Sequence, residues 1–74
     1  MQHQPEWQEG YKLINLDQVM DLTGMTRSPI YSLMAAQKFP RPIKIGKHRV
    51  AWILQEVQQY LNERIAERNA KYNN

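Results

Sequence analysis

The sequence predicts a mainly α-helical domain that carries one small β-hairpin. Three observations predict it. Two short amphipathic stretches flank a turn at Gly24, two alternating apolar stretches meet at Gly46-Lys47, and a longer amphipathic stretch runs on towards the C-terminus. A chain of 74 residues holds one hydrophobic core, and without cysteine that core relies on packing rather than on disulfides or thiolate-bound metal.

Residues 1–10, MQHQPEWQEG, are polar and interrupted by Pro5 and Gly10, and they read as a disordered tail. They contain no apolar stretch of the kind a secretion signal needs, and nowhere is an apolar run long enough to span a bilayer. A cytoplasmic, nucleoid-associated protein with no membrane partner is expected. His3 has no neighbour at metal-ligand spacing, and Trp7 is given no role.

The first helix is expected over residues 16–23. Asn15 can cap it, and Asp17 puts a negative charge in the first turn, where the helix dipole favours one. Leu16, Val19, Met20 and, on the adjoining edge, Leu22 form its apolar face. Gly24 ends the helix because glycine adopts the left-handed conformation at little cost. Thr26 can then cap a second helix, in which Pro29 falls at the third position and its missing N–H does little harm. Ile30, Leu33 and Met34, at i, i+3 and i+4, are its buried stripe. That leaves Arg27, Ser28, Tyr31 and Ser32 facing outward. The helix is expected to continue through Ala35-Ala36 and to stop at Phe39-Pro40.

Two strands follow, over 42–45 and 49–52, with Gly46-Lys47 as the tip and a positive φ at Gly46. Alternation sends Ile43, Ile45, Val50 and Trp52 to the core and Lys44, Arg49 and Ala51 to solvent. A third helix is expected over 54–70, with Val57, Leu61 and Ile65 as its stripe and Tyr60 beside them. Met20, Met25 and Met34 read as packing residues. Glu63, Arg64, Glu67, Arg68 and Lys71 read as an exposed surface, and residues 71–74 as a frayed end. The domain therefore spans 11–70.

The net charge is +3, but its placement says more. From Leu22 to Gln55 the chain has six Lys/Arg and no acid, while all seven carboxylates lie in the flanks. A segment of one sign between mixed flanks suits a polyanion. A short helix, a glycine turn and a second helix form a helix-turn-helix, whose second helix reads base edges with its N-terminal residues. A basic hairpin placed after it is a wing, and the architecture is a winged helix-turn-helix. Arginine can pair with guanine in a bidentate manner, serine can reach a base or a phosphate, and tyrosine a phosphate. The candidate DNA-binding residues are Thr26, Arg27, Ser28, Tyr31 and Ser32 from the helix, with Lys38, Arg41, Lys44, Lys47, His48 and Arg49 from the connection and the wing.

The segments LDQVMDLTGMTRSPIYSLMAAQKFPRPIKIG and VAWILQEVQQYL resemble the AlpA family of small prophage and genomic-island regulators, within the wider MerR-like and excisionase-like group. The resemblance spans about residues 13–68. It implies a DNA-binding regulator of transcription, and relatives in the wider group act as recombination directionality factors beside an integrase. Arg27, Ser28 and Tyr31 match the recognition helix of that family, and Lys44 its first wing strand. Pro29, Ser32, Gln37 and His48 stand where the family more often has Thr, Arg or Lys, Gly and Arg respectively. A non-glycine Gln37 is thereby expected in a left-handed conformation.

Asp17 and Asp21 share a helix face, but no nucleophile–base pair and no metal-ligand spacing accompanies them, so neither an enzyme nor a cofactor is expected. The expected function is a sequence-specific regulator of double-stranded DNA, the recognition helix in the major groove and the basic wing on the backbone. Two alternatives are an excisionase-like directionality factor and a module that contacts an integrase through the C-terminal helix. The expected partners are duplex DNA, further copies of the chain as a dimer or array, and a tyrosine-type integrase.

Overall fold

The computed structural model describes residues 10–72. Its elements, in chain order, are β1 (Leu13–Ile14), α1 (Leu16–Thr23), α2 (Arg27–Ala35), β2 (Ile43–Gly46), β3 (Arg49–Ile53) and α3 (Leu54–Tyr72). Three helices and a small antiparallel sheet give the predicted class, a mainly helical domain consistent with a winged helix-turn-helix.

α1 has the predicted limits because both of its ends are specified locally. The Asn15 Oδ1 accepts from the Gln18 N–H at 2.8 Å, and the Asn15 N–H donates to Gln18 Oε1 at 2.8 Å, a reciprocal capping box. At the other end Gly24 is left-handed (φ 73°) and its N–H donates to the Met20 carbonyl at 2.8 Å. The Thr23 hydroxyl donates to the Val19 carbonyl and accepts from the Met25 N–H, which ties the turn to the helix.

α2 begins after Thr26, which has extended backbone but makes no side-chain cap bond, and Pro29 takes the third helical position. The helix stops at Ala35, one residue short of the expectation, and the stop is not made by Phe39-Pro40. Gln37, at φ 60°, reverses the chain. Its N–H donates to the Met34 carbonyl at 2.9 Å, and the Lys38 N–H donates to the Leu33 carbonyl at 2.7 Å. These two bonds form a Schellman motif, with the left-handed position filled by glutamine.

The sheet has three strands in the order β1-β3-β2, one more than the two predicted. β1 pairs Leu13 with Ile53 and Ile14 with Trp52. Two residues are too few to show alternation, so no periodic signal marks this strand in the sequence. It is held instead by longer-range bonds. The Leu54 N–H donates to the Lys12 carbonyl, and the Gln55 side chain donates to the Gly10 carbonyl at 2.6 Å while accepting from the Lys12 N–H at 3.2 Å.

The hairpin departs from the predicted faces. Ile43 is opposite Ala51, Lys44 opposite Val50 and Gly46 opposite Arg49, so Ile45 is an extra residue in a bulge. Opposed residues share a face and adjacent ones do not. Ile43 therefore lies on the face of Ala51, opposite that of Trp52, while Lys44 and Val50 share the Trp52 face. Ala51, expected in solvent, is buried, and Ile43, Ile45 and Val50, expected in the core, are exposed. Gly46 has no positive φ; it belongs to β2, and the tip is Lys47-His48.

Ile14, Val19, Ile30, Met34, Phe39, Trp52 and Val57 form the core, with Met20, Met25 and Leu33 among the half-buried residues packed on it. Trp52 is completely buried, as predicted, and its indole N–H donates to the Pro40 carbonyl at 3.1 Å. The largest core side chain thus also anchors the chain that leaves α2. Leu22 and Ile65, predicted on buried stripes, are 44% and 45% exposed. α3 extends to Tyr72, two residues beyond the expectation, and its residues from Asn62 to Tyr72 are all exposed. The core covers only the first two turns of a helix of 19 residues, and the overhang contributes to the elongated 53 × 30 × 20 Å shape. Among the described residues no helix is long and apolar enough to cross a membrane.

Candidate nucleic-acid interface

The geometry of α2 follows from which residues it buries. Ile30 and Met34 are inside and Leu33 is half-buried. Helical periodicity then turns Ser28, Tyr31, Ser32 and Ala35 away from the core, all of them exposed. Arg27 occupies the first helical position, in the same axial row as Met34, so it leaves the helix along its flank rather than from the outermost face. Its long side chain suits that starting point. Ala35 was absent from the candidates read from sequence. Its i+4 relation to Tyr31 and i+7 relation to Ser28 would have marked it, and its small methyl group lets the helix approach a surface closely.

Among the described residues no side chain caps the N-terminus of α2, where Arg27 and Ser28, but not Pro29, carry an N–H. Thr26 makes no cap bond, and the first turn holds no acid. Free N–H groups at a helix N-terminus, with the positive end of the dipole, favour a phosphate. The Arg27 guanidinium and the Ser28 and Thr26 hydroxyls lie at the same end.

The hairpin brings Lys44, Lys47, His48 and Arg49 together on one short strand pair, and all four are exposed. A Cβ built on Gly46 would lie 3.6 Å from Arg49 Cβ and 3.9 Å from its Cγ, so the stem of Arg49 lies alongside Gly46. The one ion pair among the described residues is Arg64–Glu67 at 2.9 Å, on the exposed overhang of α3. Arg27, Lys38, Arg41, Lys44, Lys47 and Arg49 therefore pair with no carboxylate among the described residues.

Lys38 and Arg41 sit apart from the other candidates. They line an open groove between the α2–β2 connection and α3, where Glu56 and Glu63 form part of the lining. Phe39 and Tyr60 meet there edge to face, their ring centroids 4.7 Å apart, and the Arg64 guanidinium lies 5.3 Å from the Tyr60 centroid. Of the residues singled out from the sequence, the helix set and the wing set each form a coherent surface, and this connecting pair shares its surroundings with acids. Among the described residues no group of His, Cys, Asp or Glu is placed to hold a metal ion.

The family described as Prophage CP4-57 regulatory protein (AlpA) matches residues 12–65. A protein of Enterobacteria phage P4 named "Uncharacterized protein ORF88" is 36% identical over 61 residues, which cover 82% of this chain and 69% of that one. No solved structure matches.

Proposed function

The chain belongs to the AlpA family of prophage regulatory proteins, and on that premise we propose that it binds double-stranded DNA as a sequence-reading regulator of a mobile element. The observation that carries the reading is the outer face of α2. It presents two hydroxyls, a phenol and a flanking arginine above a fully buried Ile30, and the wing that follows it holds three Lys/Arg, one histidine and no acid.

In this reading α2 enters the major groove. Arg27 donates to guanine O6 and N7, Ser28 and Ser32 meet base edges or phosphates, and Tyr31 bonds to a phosphate. Thr26 and the free N–H groups beside it take a second phosphate. Lys44, Lys47, His48 and Arg49 follow the backbone, which sets affinity and register more than sequence choice. Lys38 and Arg41 lie further along the same chain and add long-range attraction, tempered by the carboxylates across their groove. A role as an excision factor uses the same surface and adds further copies along the DNA and a bend in it.

Selection of duplexes from a random pool, followed by gel-shift titration of variants, tests the reading. Arg27→Ala should cost about 1–3 kcal/mol on the selected duplex and relax the preference at one position. Lys47→Ala should weaken selected and scrambled duplexes alike and reduce the magnitude of the salt slope by about one. If the wild-type protein enriches no sequence and binds duplexes without salt dependence, α2 and the wing are not a DNA surface. The protein-contact reading rests on a different observation, the exposed outer turns of α3, and that result would leave it standing.

A further inference from the structure

The hairpin leaves three branched apolar side chains in solvent. Ile43, Ile45 and Val50 are 38%, 45% and 43% exposed. Exposed apolar residues on a surface otherwise built of cations call for a partner with apolar and anionic parts in alternation. Ile45 is the most distinctive of the three. It is the bulge residue, with no partner of its own between the Lys44–Val50 and Gly46–Arg49 pairs. Its neighbour Gly46 carries no side chain, and the Arg49 stem runs beside that glycine. Ile45 therefore lies at a cationic tip, where it remains 45% exposed.

The minor groove of a DNA duplex has the matching pattern. Its walls are deoxyribose, largely apolar, and its rims are two rows of phosphates. At about 6 Å wide it admits side chains from a hairpin edge but not a helix. Lys44, Lys47 and Arg49 match the rims, and Ile45 matches the walls. A protein partner fits less well. The segment from Leu22 to Gln55 contains six cations and no acid, so any protein docked here would have to be strongly acidic as well as apolar.

We infer that Ile45 is a non-polar minor-groove contact, seated on the sugar wall beside the major-groove site of α2. The inference rests on the DNA-binding reading above and adds to it a residue and a groove. It has a distinctive consequence. A lysine–phosphate contact releases counterions and weakens with salt, whereas an isoleucine–sugar contact releases none. Ile45 supplies a share of affinity that salt does not remove.

The experiment compares wild type, Ile45→Ser, Lys47→Ala and Ile65→Ser on a duplex selected from a random pool by the wild-type protein. Ile65 is a matched control, an isoleucine of the same 45% exposure on the overhang of α3. Thermal melting confirms that each variant is folded. Gel-shift titration over a salt series gives affinity and slope, and hydroxyl-radical footprinting reports which sugars are covered. Ile45→Ser should bind about five- to tenfold more weakly at every salt concentration with the slope unchanged, reflecting the apolar contact it lacks. It should also lose sugar protection in the minor groove next to the α2 site, and Ile65→Ser should behave as wild type. A folded Ile45→Ser with wild-type affinity and footprint overturns the inference while the DNA reading stands. So does an Ile45→Ser that keeps its DNA binding and instead dissociates a dimer seen in sedimentation velocity. Absence of salt-dependent binding by the wild type removes the DNA reading and this inference with it.

Discussion

The helix pair and the hairpin are neighbours in sequence, and they are built on different terms. Each turn of α1 and α2 is specified by nearby residues: Asn15 with Gln18 at one end, Gly24 in the middle, Gln37 at the other. The hairpin has no comparable local signal. Its base is buried through Ala51 and Trp52, and its outer half, from Ile43 to Val50, is exposed throughout. The difference separates positioning from contact. The helices form a platform that fixes α2, and the wing is an arm held at one end, with its outer half exposed.

The largest effect is expected where the two regions join. Trp52 is completely buried, pairs with Ile14 across the sheet and bonds to the carbonyl of Pro40 at the exit from α2. Trp52→Ala should cost about 3–5 kcal/mol, close to the whole stability of a domain this small. Chemical denaturation followed by far-ultraviolet circular dichroism should show the variant largely unfolded in buffer. Val50→Ala, two residues earlier on the same strand face, should change stability by about 0.5 kcal/mol or less because its side chain is already in solvent. Equal losses for the two variants would mean that the wing is packed along its length, and the contrast between platform and arm would fail.

That contrast also explains what could be read from the sequence and what could not. α1 was legible to the residue, because a capping asparagine and a left-handed glycine act over three or four positions. The buried stripe of α2 was legible because helical faces depend on period alone. In the hairpin the faces depend on register as well, and one extra residue at Ile45 breaks the alternation on which the reading of Ile43, Ile45 and Val50 relied. β1 was missed because its pairing partner lies about forty residues away and a two-residue strand has no period. Ile65 was misplaced for another reason: an amphipathic stripe states which side of a helix is apolar, not where the core beneath it ends. For the interface, the residue types on α2 were readable from the helical period, whereas the neighbourhood of Lys38 and Arg41 depended on how α3 packs.

A smaller effect tests the platform directly. Asn15→Ala removes one side of the capping box and leaves the Gln18 N–H without its partner. A loss of about 1 kcal/mol is expected, with no change in the denaturant m-value. Because Asn15 lies away from α2 and the wing in sequence and has no bond to either, affinity for a selected duplex should be unaffected once folding is corrected for. A drop in corrected affinity would show that α1 positions α2 more delicately than two helices joined by a fixed turn require.

A small effect of the opposite sign is expected at Gln37, just past the end of α2. Gln37 holds φ 60° because the Schellman bonds to Met34 and Leu33 require a left-handed residue there. A residue with a Cβ pays roughly 1–2 kcal/mol in that conformation. Glycine avoids this strain but loses more backbone freedom on folding, a cost of about 0.5–1 kcal/mol. The balance predicts that Gln37→Gly stabilises by about 0.5–1 kcal/mol, within the range found when backbone preference and native conformation are brought into agreement. Gln37 is exposed and makes no side-chain hydrogen bond among the described residues, so the change removes little else. A higher denaturation midpoint at constant m-value is the expected result. A lower midpoint would mean that the wild-type junction relaxes out of the left-handed region in solution. The same variant also probes the wing. If stability rises while affinity for a selected duplex falls, stiffness at Gln37 sets the angle between platform and arm; if affinity is unchanged, Trp52 and its bond to Pro40 set that angle alone.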